Sequence, residues 1–278
     1  MSKHLYPCLW FDGRIAEATH YYCSLFEHSK VHAENNIITK FELEGTVLKL
    51  LNGGAIFSKN PAISLFVKCE TKAEVEKLCS ALSTGGKVMI PLGSYPWCAY
   101  YAWVEDQFGM TWQLFLGTLE PGEQKIIPSL LFTKEVFGKG LEAMQFYTRI
   151  FKEGKITSQS MYEQGEGQPV GSLKFGSFTL QNAQFAAMDG PGEHAFTFNE
   201  GISLVVECVD QAEIDYYWEQ LTQQGGHEGK CGWLQDKFGL SWQIIPIELN
   251  ALMGNPATAE KARNAFMKMN KFIIKDLY

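Results

Sequence analysis

Hydrophobic and polar residues alternate along this chain with two different periods. Between residues 15 and 26 the apolar positions have the spacing of a helix: Ile15, Ala18, Tyr22, Leu25 and Phe26. Short apolar or alternating runs, which are typical of strands, lie at residues 7–11, 37–41, 46–51, 63–69, 103–104 and 111–116. The first half is therefore predicted to run strand, helix, strands, and then the same again.

A second helix is predicted from its cap. Glu74 follows Thr71 by three residues, which is the capping-box pattern, and Glu213 follows Asp210 in the same way. The apolar stripes after the two caps are Val75, Leu78, Cys79 and Leu82, and Ile214, Tyr217, Trp218 and Leu221. Each stripe ends shortly before a pair of glycines, which stops a helix. The two segments are thus predicted to be equivalent helices.

The chain repeats itself. Residues 17–26 (EATHYYCSLF) match residues 142–151 (EAMQFYTRIF), and residues 106–113 (DQFGMTWQ) match residues 236–243 (DKFGLSWQ). The strands predicted in the second half lie at residues 129–133, 171–175, 178–181, 202–208, 233–234 and 241–245. Matching blocks in the same order indicate a duplication, which fixes the expected architecture.

The repeat predicts the domain boundaries. Residues 1–117 form the first domain and residues 129–246 the second, and residues 118–128, with their glycine and prolines, form the linker. Residues 247–278 are predicted to be an appended helix, best formed at residues 259–270, that packs on the second domain or on a partner.

Net charge and cysteine usage limit which partners this protein is expected to bind and in which cellular compartment it is expected to lie. The formal net charge is -7 and no long basic run occurs, so nucleic acid and anionic membrane surfaces are disfavoured as partners. No apolar stretch approaches the roughly 20 residues that cross a bilayer, and residues 1–10 do not resemble a signal peptide. The seven cysteines include no CxxC pair, which indicates reduced thiols and a cytoplasmic protein. The sequence leaves open whether the chain forms a homodimer.

Several motifs carry a family resemblance: LWFDG at residues 9–13, LLNGG at 50–54, GGKVMIPLGSYPW at 85–97 and CGWLQDKFGLSWQIIP at 231–246. They resemble the PhnB-like branch of the vicinal-oxygen-chelate (glyoxalase/bleomycin-resistance/dioxygenase) superfamily, which often carries the label 3-demethylubiquinone-9 3-methyltransferase-like. The resemblance covers essentially the whole chain. It implies an α+β fold of two tandem modules, in which paired βαβββ units form a curved eight-stranded sheet around a cavity, followed by the C-terminal helix.

The resemblance also implies where a metal would bind. Enzymes of this superfamily hold a divalent ion with His, Glu or Gln on three strands, and the ion polarises substrate oxygens. The implied positions are Gln113 and Gln243 on the last strand, Ser64 and Ser203 on the middle strand, and residues 6–9 and 128–131 on the first strand. None of them carries a histidine or a carboxylate. We therefore expect no metal and no other cofactor.

A small-molecule ligand is expected on the concave face of each module. The residues predicted to contact it are Ser64, Trp97, Trp112, Gln113, Ser203, Trp233, Trp242 and Gln243. For the glutamines a role as a structural buried amide stays open, and for the tryptophans a place in the core. His194 is the candidate general base, in a loop near residues 188–198 that could cover the second pocket, which we expect to be the better site.

Other polar motifs favour structural roles. Asp106 and Asp236 precede matching Phe-Gly turns and are interpreted as turn-capping carboxylates. Residues 52–54 (NGG) and 189–190 (DG) follow strands and are interpreted as turns, with a ligand-contacting loop as the alternative.

Two classes of function remain. The first is a metal-free protein that acts by binding or sequestering a small molecule. The alternative is a lyase, isomerase or dioxygenase-type enzyme of the same superfamily with an unusual site, and a duplicate in which only one half keeps a pocket is also open. Methyl transfer is not expected, because the sequence shows neither regular βα alternation nor a glycine-rich loop after the first strand.

Overall fold

The computed structural model describes residues 4–278, which divide into two compact units. Residues 7–202 form one unit, and residues 203–278 with residues 4–6 form the other. We call them the central unit and the terminal unit.

The strands of this fold form two mixed sheets of eight strands each. In the first half of the chain they are β1 (Leu5–Phe11), β2 (Ser29–Glu34), β3 (Ile38–Leu43), β4 (Thr46–Asn52), β5 (Ile63–Cys69), β6 (Lys87–Tyr95), β7 (Cys98–Glu105) and β8 (Thr111–Leu116). In the second half they are β9 (Ile126–Phe132), β10 (Lys155–Met161), β11 (Leu173–Leu180), β12 (Ala183–Asp189), β13 (Ile202–Cys208), β14 (His227–Glu228), β15 (Trp233–Gln235) and β16 (Ser241–Pro246).

One helix follows the first strand of each βαβββ unit, and two more follow the last strand of the chain. The helices are α1 (Ile15–Leu25), α2 (Lys72–Ser83), α3 (Gly140–Ile150), α4 (Gln211–Thr222), α5 (Leu249–Gly254) and α6 (Ala259–Phe266). The structure confirms the predicted α+β class, the tandem modules and a helical C-terminus. The single predicted C-terminal helix is divided in two, with Pro256 lying between α5 and α6.

The second sheet lies in the central unit and has the order β10-β11-β12-β9-β5-β8-β7-β6. Its middle is the antiparallel pair of β5 and β9, in which Ser64 lies opposite Ser129. β8 runs parallel to β5 and β12 runs parallel to β9. The sheet is thus two βαβββ units joined at their first strands.

The remaining strands form one group of four neighbours in each compact unit. β1, from Pro7 onward, is followed by β4, β3 and β2 in the central unit, whereas β13, β16, β15 and β14 are neighbours in the terminal unit. In each group the first and the last strand along the chain run parallel. Cys8 of β1 pairs with Lys49 of β4, and Val205 of β13 pairs with Gln243 of β16. Each group of four strands is again one βαβββ unit.

The sheets do not coincide with the sequence repeats. β5 and β9 lie on either side of the predicted linker, yet they pair directly, and residues 126–128 of that linker belong to β9. A physical reason is that the first strand of an isolated βαβββ unit exposes unpaired backbone groups, which this pairing satisfies. The ranges 1–117, 118–128 and 129–246 therefore describe the repeat, and as domain boundaries they remain a proposal.

Residues 171–181 differ from their predicted structure. Instead of two short strands there is one, β11, and the turn falls at Gln181 and Asn182, which both have positive φ. Gly176 lies inside β11, between the two predicted strands, and a Cβ there would lie 2.5 Å from the Met144 sulfur on α3. The glycine permits close helix packing rather than a turn.

Five strands were missed by the sequence prediction: β2, β6, β10, β12 and β14. β12 is mostly buried, but three of its seven residues are alanine, which is uncommon in strands. The residues of the other four strands are all exposed or half-buried. Without a buried face there is no selection for alternating apolar residues, so the periodic signal is weak.

The helix caps agree with prediction. Thr71 Oγ1 accepts a hydrogen bond from the Glu74 amide at 3.1 Å, and Asp210 Oδ1 accepts one from the Glu213 amide at 2.8 Å. Each glutamate reaches back to the amide just before its cap residue, that of Glu70 or of Val209. The two caps satisfy equivalent backbone donors.

Candidate functional site

Successive residues of β8 point to opposite sides of the second sheet, which separates Trp112 from Gln113. Trp112 is fully buried on the helix side, 5.3 Å from the Tyr22 ring, and its indole N–H donates to Asp106 at 2.8 Å. Trp242 is also fully buried and donates to Asp236 at 2.9 Å. The structure therefore places both of these predicted ligand contacts in the core.

The carboxylates beside these tryptophans are turn caps, as predicted. Asp106 accepts hydrogen bonds from the amides of Phe108 and Met110, and Asp236 accepts them from the equivalent amides of Phe238 and Leu240. Burial raises the pKa of the Asp106 carboxyl, against the opposing effect of its hydrogen bonds. Asp106 and Asp236 hold the turn before the last strand and its tryptophan.

Gln113 is the centre of a buried hydrogen-bond chain. Tyr101 Oη donates to Gln113 Oε1 at 2.5 Å, and Gln113 Nε2 donates to Ser64 Oγ at 2.7 Å. All three side chains are at most 5% exposed. Burial raises the pKa of the Tyr101 hydroxyl, which keeps it protonated as the donor. The amide is thus fixed in one orientation.

Beside the hydrogen-bond chain of Tyr101, Gln113 and Ser64, a row of hydroxyl groups crosses the centre of the sheet. Ser129 lies opposite Ser64 on the neighbouring strand. Leu65 pairs with Trp112, so the residues before them, Ser64 and Thr111, lie side by side on the other face. Neighbouring strands are about 5 Å apart, which sets the spacing of the three hydroxyl residues.

Three buried polar atoms on this side of the sheet have no hydrogen-bond partner within residues 4–278. They are Ser129 Oγ, Thr111 Oγ1 and Trp103 Nε1. Trp103 pairs with Gln113 across β7 and β8, so the two side chains share a face. We call the side of the second sheet that carries Ser64, Trp103, Thr111, Gln113 and Ser129 the Gln113 face.

Aromatic rings border the Gln113 face. Trp97 stacks on Tyr95 with ring centroids 4.9 Å apart and meets the edge of Tyr101 at 6.2 Å. Phe66, on the same strand as Ser64, lies 6.1 Å from Phe175. Trp97 itself is 62% exposed. This predicted contact is thus connected through Tyr101 to the buried amide.

The terminal unit carries a simpler version of the same arrangement. Gln243 Nε2 donates to Ser203 Oγ at 2.9 Å, and Trp233 pairs with Gln243 as Trp103 pairs with Gln113. Gln113 and Gln243 are 130 residues apart, as are Tyr101 and Cys231. The phenol that holds the Gln113 amide is therefore replaced by a thiol at the matching repeat position.

Comparison with protein families agrees with this geometry. A family model described as 3-demethylubiquinone-9 3-methyltransferase matches residues 3–115 and 124–245. The chain belongs to the 3-demethylubiquinone-9 3-methyltransferase family. The family match covers both repeats, as the duplicated βαβββ units require. No curated protein matches the chain.

Solved structures place this family member among glyoxalase-like folds. Glyoxalase I from Zea mays is 11% identical with a TM-score of 0.60, and the match covers 91% of this chain and 96% of that one. A PhnB protein from Bacillus cereus is 31% identical with a TM-score of 0.39 and covers 40% of this chain and 98% of its own. A Staphylococcus aureus protein is 28% identical with a TM-score of 0.20, covering 42% and 100%. The match to the maize enzyme shows that this chain has the fold of glyoxalase I.

The donor set of the Gln113 face does not fit the divalent metal that this superfamily uses. Its oxygens are neutral amide and hydroxyl oxygens, and Gln113 Oε1 already accepts a hydrogen bond. Transition metals in such sites are held by imidazole, thiolate or carboxylate ligands. Across residues 4–278, no group of three His, Cys, Asp or Glu side chains is placed to share an ion.

His194 lies in a loop of the central unit, whereas Gln243 belongs to the terminal unit. Its Nε2 is 3.2 Å from the Pro191 carbonyl oxygen, and its ring lies 5.1 Å from Phe196. The loop is fixed by a bond from Thr133 Oγ1 to the Phe196 carbonyl at 2.6 Å. These contacts give no support to His194 as a base acting with Gln243.

The two glycine turns have structural roles. Trp10 Nε1 donates to the Gly54 carbonyl at 2.7 Å, and a Cβ on Gly53 would lie 2.0 Å from the Trp10 ring. Asp189 accepts hydrogen bonds from the amides of Gly138 and Gly140 at the start of α3, both at 3.0 Å. Residues 52–54 and 189–190 thus stabilise packing and a helix end.

Sequence reasoning missed Thr111 and Ser129 as site residues. A signal for Thr111 was present, because the matching repeat position carries another hydroxyl, Ser241, whose Oγ is also buried without a partner in the described chain. Ser129 gave no such signal, since only the pairing of β5 with β9 places it beside Ser64. Among residues 4–278, no helix has the length and apolar character to span a membrane.

Proposed function

We propose that this chain binds a small, mostly uncharged organic molecule on the Gln113 face and acts by binding or sequestering it. The observation that carries the proposal is the set of three buried polar atoms without partners on that face. An unpaired buried polar group destabilises a protein by about 1–3 kcal/mol. A ligand that satisfies these groups would recover that free energy on binding.

The surroundings of the Gln113 face support the same proposal. The Gln113 amide is already oriented by Tyr101 and Ser64, so little ordering is required when a ligand arrives. Phe66 and Trp97 can bury apolar ligand surface at roughly 25 cal/mol per Å². Together these contributions suit micromolar affinity, about -8 kcal/mol.

We propose a second, weaker site around Ser203, Trp233 and Gln243 in the terminal unit. The sequence favoured this half. We now prefer the Gln113 face, because Tyr101 donates to the Gln113 amide oxygen and Ser64 accepts from the amide nitrogen. Methyl transfer is not part of the proposal. The sheets are built from βαβββ units rather than from the regular alternation of strands and helices that binds a methyl donor in a glycine-rich loop.

The test is a thermal-shift screen with a library of neutral organic fragments, followed by titration of the best binder. Gln113→Leu should weaken binding about tenfold or more, because it removes the amide and its orientation. Trp103→Phe, which keeps the ring and removes the N–H, is the second variant in case Gln113→Leu does not fold. Gln243→Leu is the matched control and should bind as tightly as the parent.

Two results would contradict the proposal. Folded Gln113→Leu and Trp103→Phe variants that bind like the parent would place the site elsewhere. Loss of binding in Gln243→Leu alone would move the primary site to the terminal unit.

A further inference from the structure

Lys59 lies in the loop between β4 and β5 and has unusual surroundings for a lysine. Its side chain is half-buried. Its Nζ donates a hydrogen bond to the Trp10 carbonyl at 2.7 Å and lies 3.8 Å from the centre of the Phe11 ring. Within residues 4–278, no carboxylate forms an ion pair with it. The amine is therefore held by one neutral acceptor and one apolar ring.

The carboxylate that acts on Lys59 does so only through its charge. It belongs to Asp106, whose oxygens already accept hydrogen bonds from Tyr22, from Trp112 and from two backbone amides of the following turn. These bonds hold the carboxylate in the core. A lysine that leaves water without gaining an ion-pair partner is shifted towards its neutral form.

Burial lowers the pKa of the Lys59 amine to about 8, against the opposing effect of the Asp106 charge. Exposed lysines have a pKa of about 10.4. At pH 7 the lower value leaves roughly 10% of the amine neutral, whereas the ordinary value leaves about 0.04%. Only the neutral amine has the lone pair that attacks an electrophile. Lys59 thus has roughly 200 times more reactive amine than an exposed lysine.

The space beside the end of Lys59 is open on one side. A Cβ placed on Gly109 would lie 3.8 Å from Lys59 Cε and, apart from its neighbours in the chain, would meet no other described atom within 4 Å. Gly109 has a φ of +78°, a backbone conformation in which glycine is strongly preferred. The turn that requires this glycine therefore also leaves room for a small molecule beside the amine.

The surroundings of this amine favour an apolar, uncharged reactant. Trp10 and Phe57 form an edge-to-face pair with ring centroids 4.9 Å apart. The guanidinium of Arg14, which lies 4.8 Å from the centre of the Phe108 ring, already donates two hydrogen bonds to Glu17. An anionic reactant would find no free guanidinium there, whereas the rings can bury apolar surface.

We propose that Lys59 is a nucleophilic amine that forms a reversible imine with a small, uncharged aldehyde. The Nζ lone pair attacks the carbonyl carbon and gives a carbinolamine. The carbinolamine loses its hydroxyl group and a proton of the nitrogen as water, which leaves a carbon–nitrogen double bond. The step consumes no oxidant or reductant. It is independent of ligand binding on the Gln113 face, to which Lys59 does not belong.

The experiment treats the full chain with benzaldehyde and sodium cyanoborohydride, which reduces an imine to a stable benzylamine. Peptide mass spectrometry then measures the labelling rate of each lysine. Lys77, at an exposed position on α2, is the internal control. At pH 7 Lys59 should be labelled about tenfold faster or more, because its larger neutral fraction outweighs its partial burial. The ratio of the two rates should fall as pH rises to 10, where exposed lysines also lose their protons.

Two further arms connect this reactivity to the packing of Lys59. In urea the two lysines should be labelled at similar rates, because unfolding returns Lys59 to water. Lys59→Arg keeps a donor for the Trp10 carbonyl and should lose the fast adduct. If this variant does not fold, the ratio of Lys59 to Lys77 in the parent chain decides alone.

Several results would overturn the proposal. These are labelling of Lys59 no faster than that of Lys77 in the folded chain at pH 7, a ratio that does not fall with pH, and fast labelling that persists in urea or in Lys59→Arg. Glyoxylate, an anionic aldehyde, should label Lys59 more slowly than benzaldehyde, and the reverse order would overturn the assignment to an uncharged aldehyde.

Discussion

At the scale of single residues, two neighbouring positions on β8 have different roles: Trp112 belongs to the core, and Gln113 belongs to the candidate site. Trp112 and its partner Asp106 complete the core on one side of the sheet, and Gln113 faces the other side. The matching residues Trp242 and Gln243 follow the same division. Two successive residues of a strand, such as a tryptophan and a glutamine, therefore cannot be assigned to one binding site from the sequence alone, because their side chains lie on opposite faces of the sheet.

Asp106 gives a prediction about pH. Burial raises the pKa of its carboxyl above that of the unfolded chain, so near these pKa values the folded state binds more protons than the unfolded state. The free energy of unfolding contributed by Asp106 is then largest below the unfolded pKa of about 4 and falls as pH rises through the folded pKa. Urea unfolding from pH 4 to pH 7 should show the parent losing stability relative to Asp106→Asn. A parent that gains stability relative to this variant over that range would mean that the hydrogen bonds outweigh desolvation.

At the scale of elements, most of the well-buried pieces were predictable and the exposed ones were not; the buried strand β12 is the exception. The stripes of α1, α2 and α4 and the apolar run of β5 gave clear signals because each buries one face or both. β2 and β10 bury almost nothing, so their sequences carry no period. Gly176 lies between the strands predicted at residues 171–175 and 178–181, but in the structure it is inside β11, where its missing side chain permits close packing on α3.

The matching caps of α2 and α4 predict equal losses on substitution. Thr71→Ala and Asp210→Ala each remove the acceptor of one helix-start amide and should lower the free energy of unfolding by about 1 kcal/mol. Ser80→Ala, at an exposed position inside α2, is the control and should change it by less than about half of that. Chemical denaturation monitored by circular dichroism measures all three. A loss in Ser80→Ala as large as that in Thr71→Ala would refute the role of the cap.

At the scale of the whole molecule, the sequence predicted the kind of module but not which units share a sheet. The repeat blocks and the order of predicted elements gave four βαβββ units, two in each half of the chain, and the two units of one half were expected to pair. The pairing of β5 with β9 depends on contacts between residues far apart along the chain, for which a single sequence offers no signal. The same limit applies to the candidate site. Ser64 and Gln113 were predictable from the family resemblance, whereas Ser129 was not, because only the pairing of β5 with β9 places it there.

The pairing of β5 with β9 predicts how a cut chain behaves. A protease site inserted after Gly122, between β8 and β9, should be cleaved without separating the two fragments, because the strands on either side are hydrogen-bonded within one sheet. Gel filtration of the cleaved protein should give the elution volume of the uncut 31.3 kDa chain. Fragments that separate on dilution in native buffer would instead favour independent domains at 1–117 and 129–246.

The central claim, that ligand binds on the Gln113 face, is tested most directly by the indole N–H resonances of ¹⁵N-labelled protein. Trp103 Nε1 has no partner in the described chain, whereas Trp112 Nε1 donates to Asp106 in the core, so the second resonance is an internal control. The two signals are assigned with Trp103→Phe and Trp112→Phe. Titration with the best neutral fragment should move the Trp103 resonance and leave that of Trp112 in place. A saturating ligand that leaves the Trp103 resonance unmoved would contradict the account.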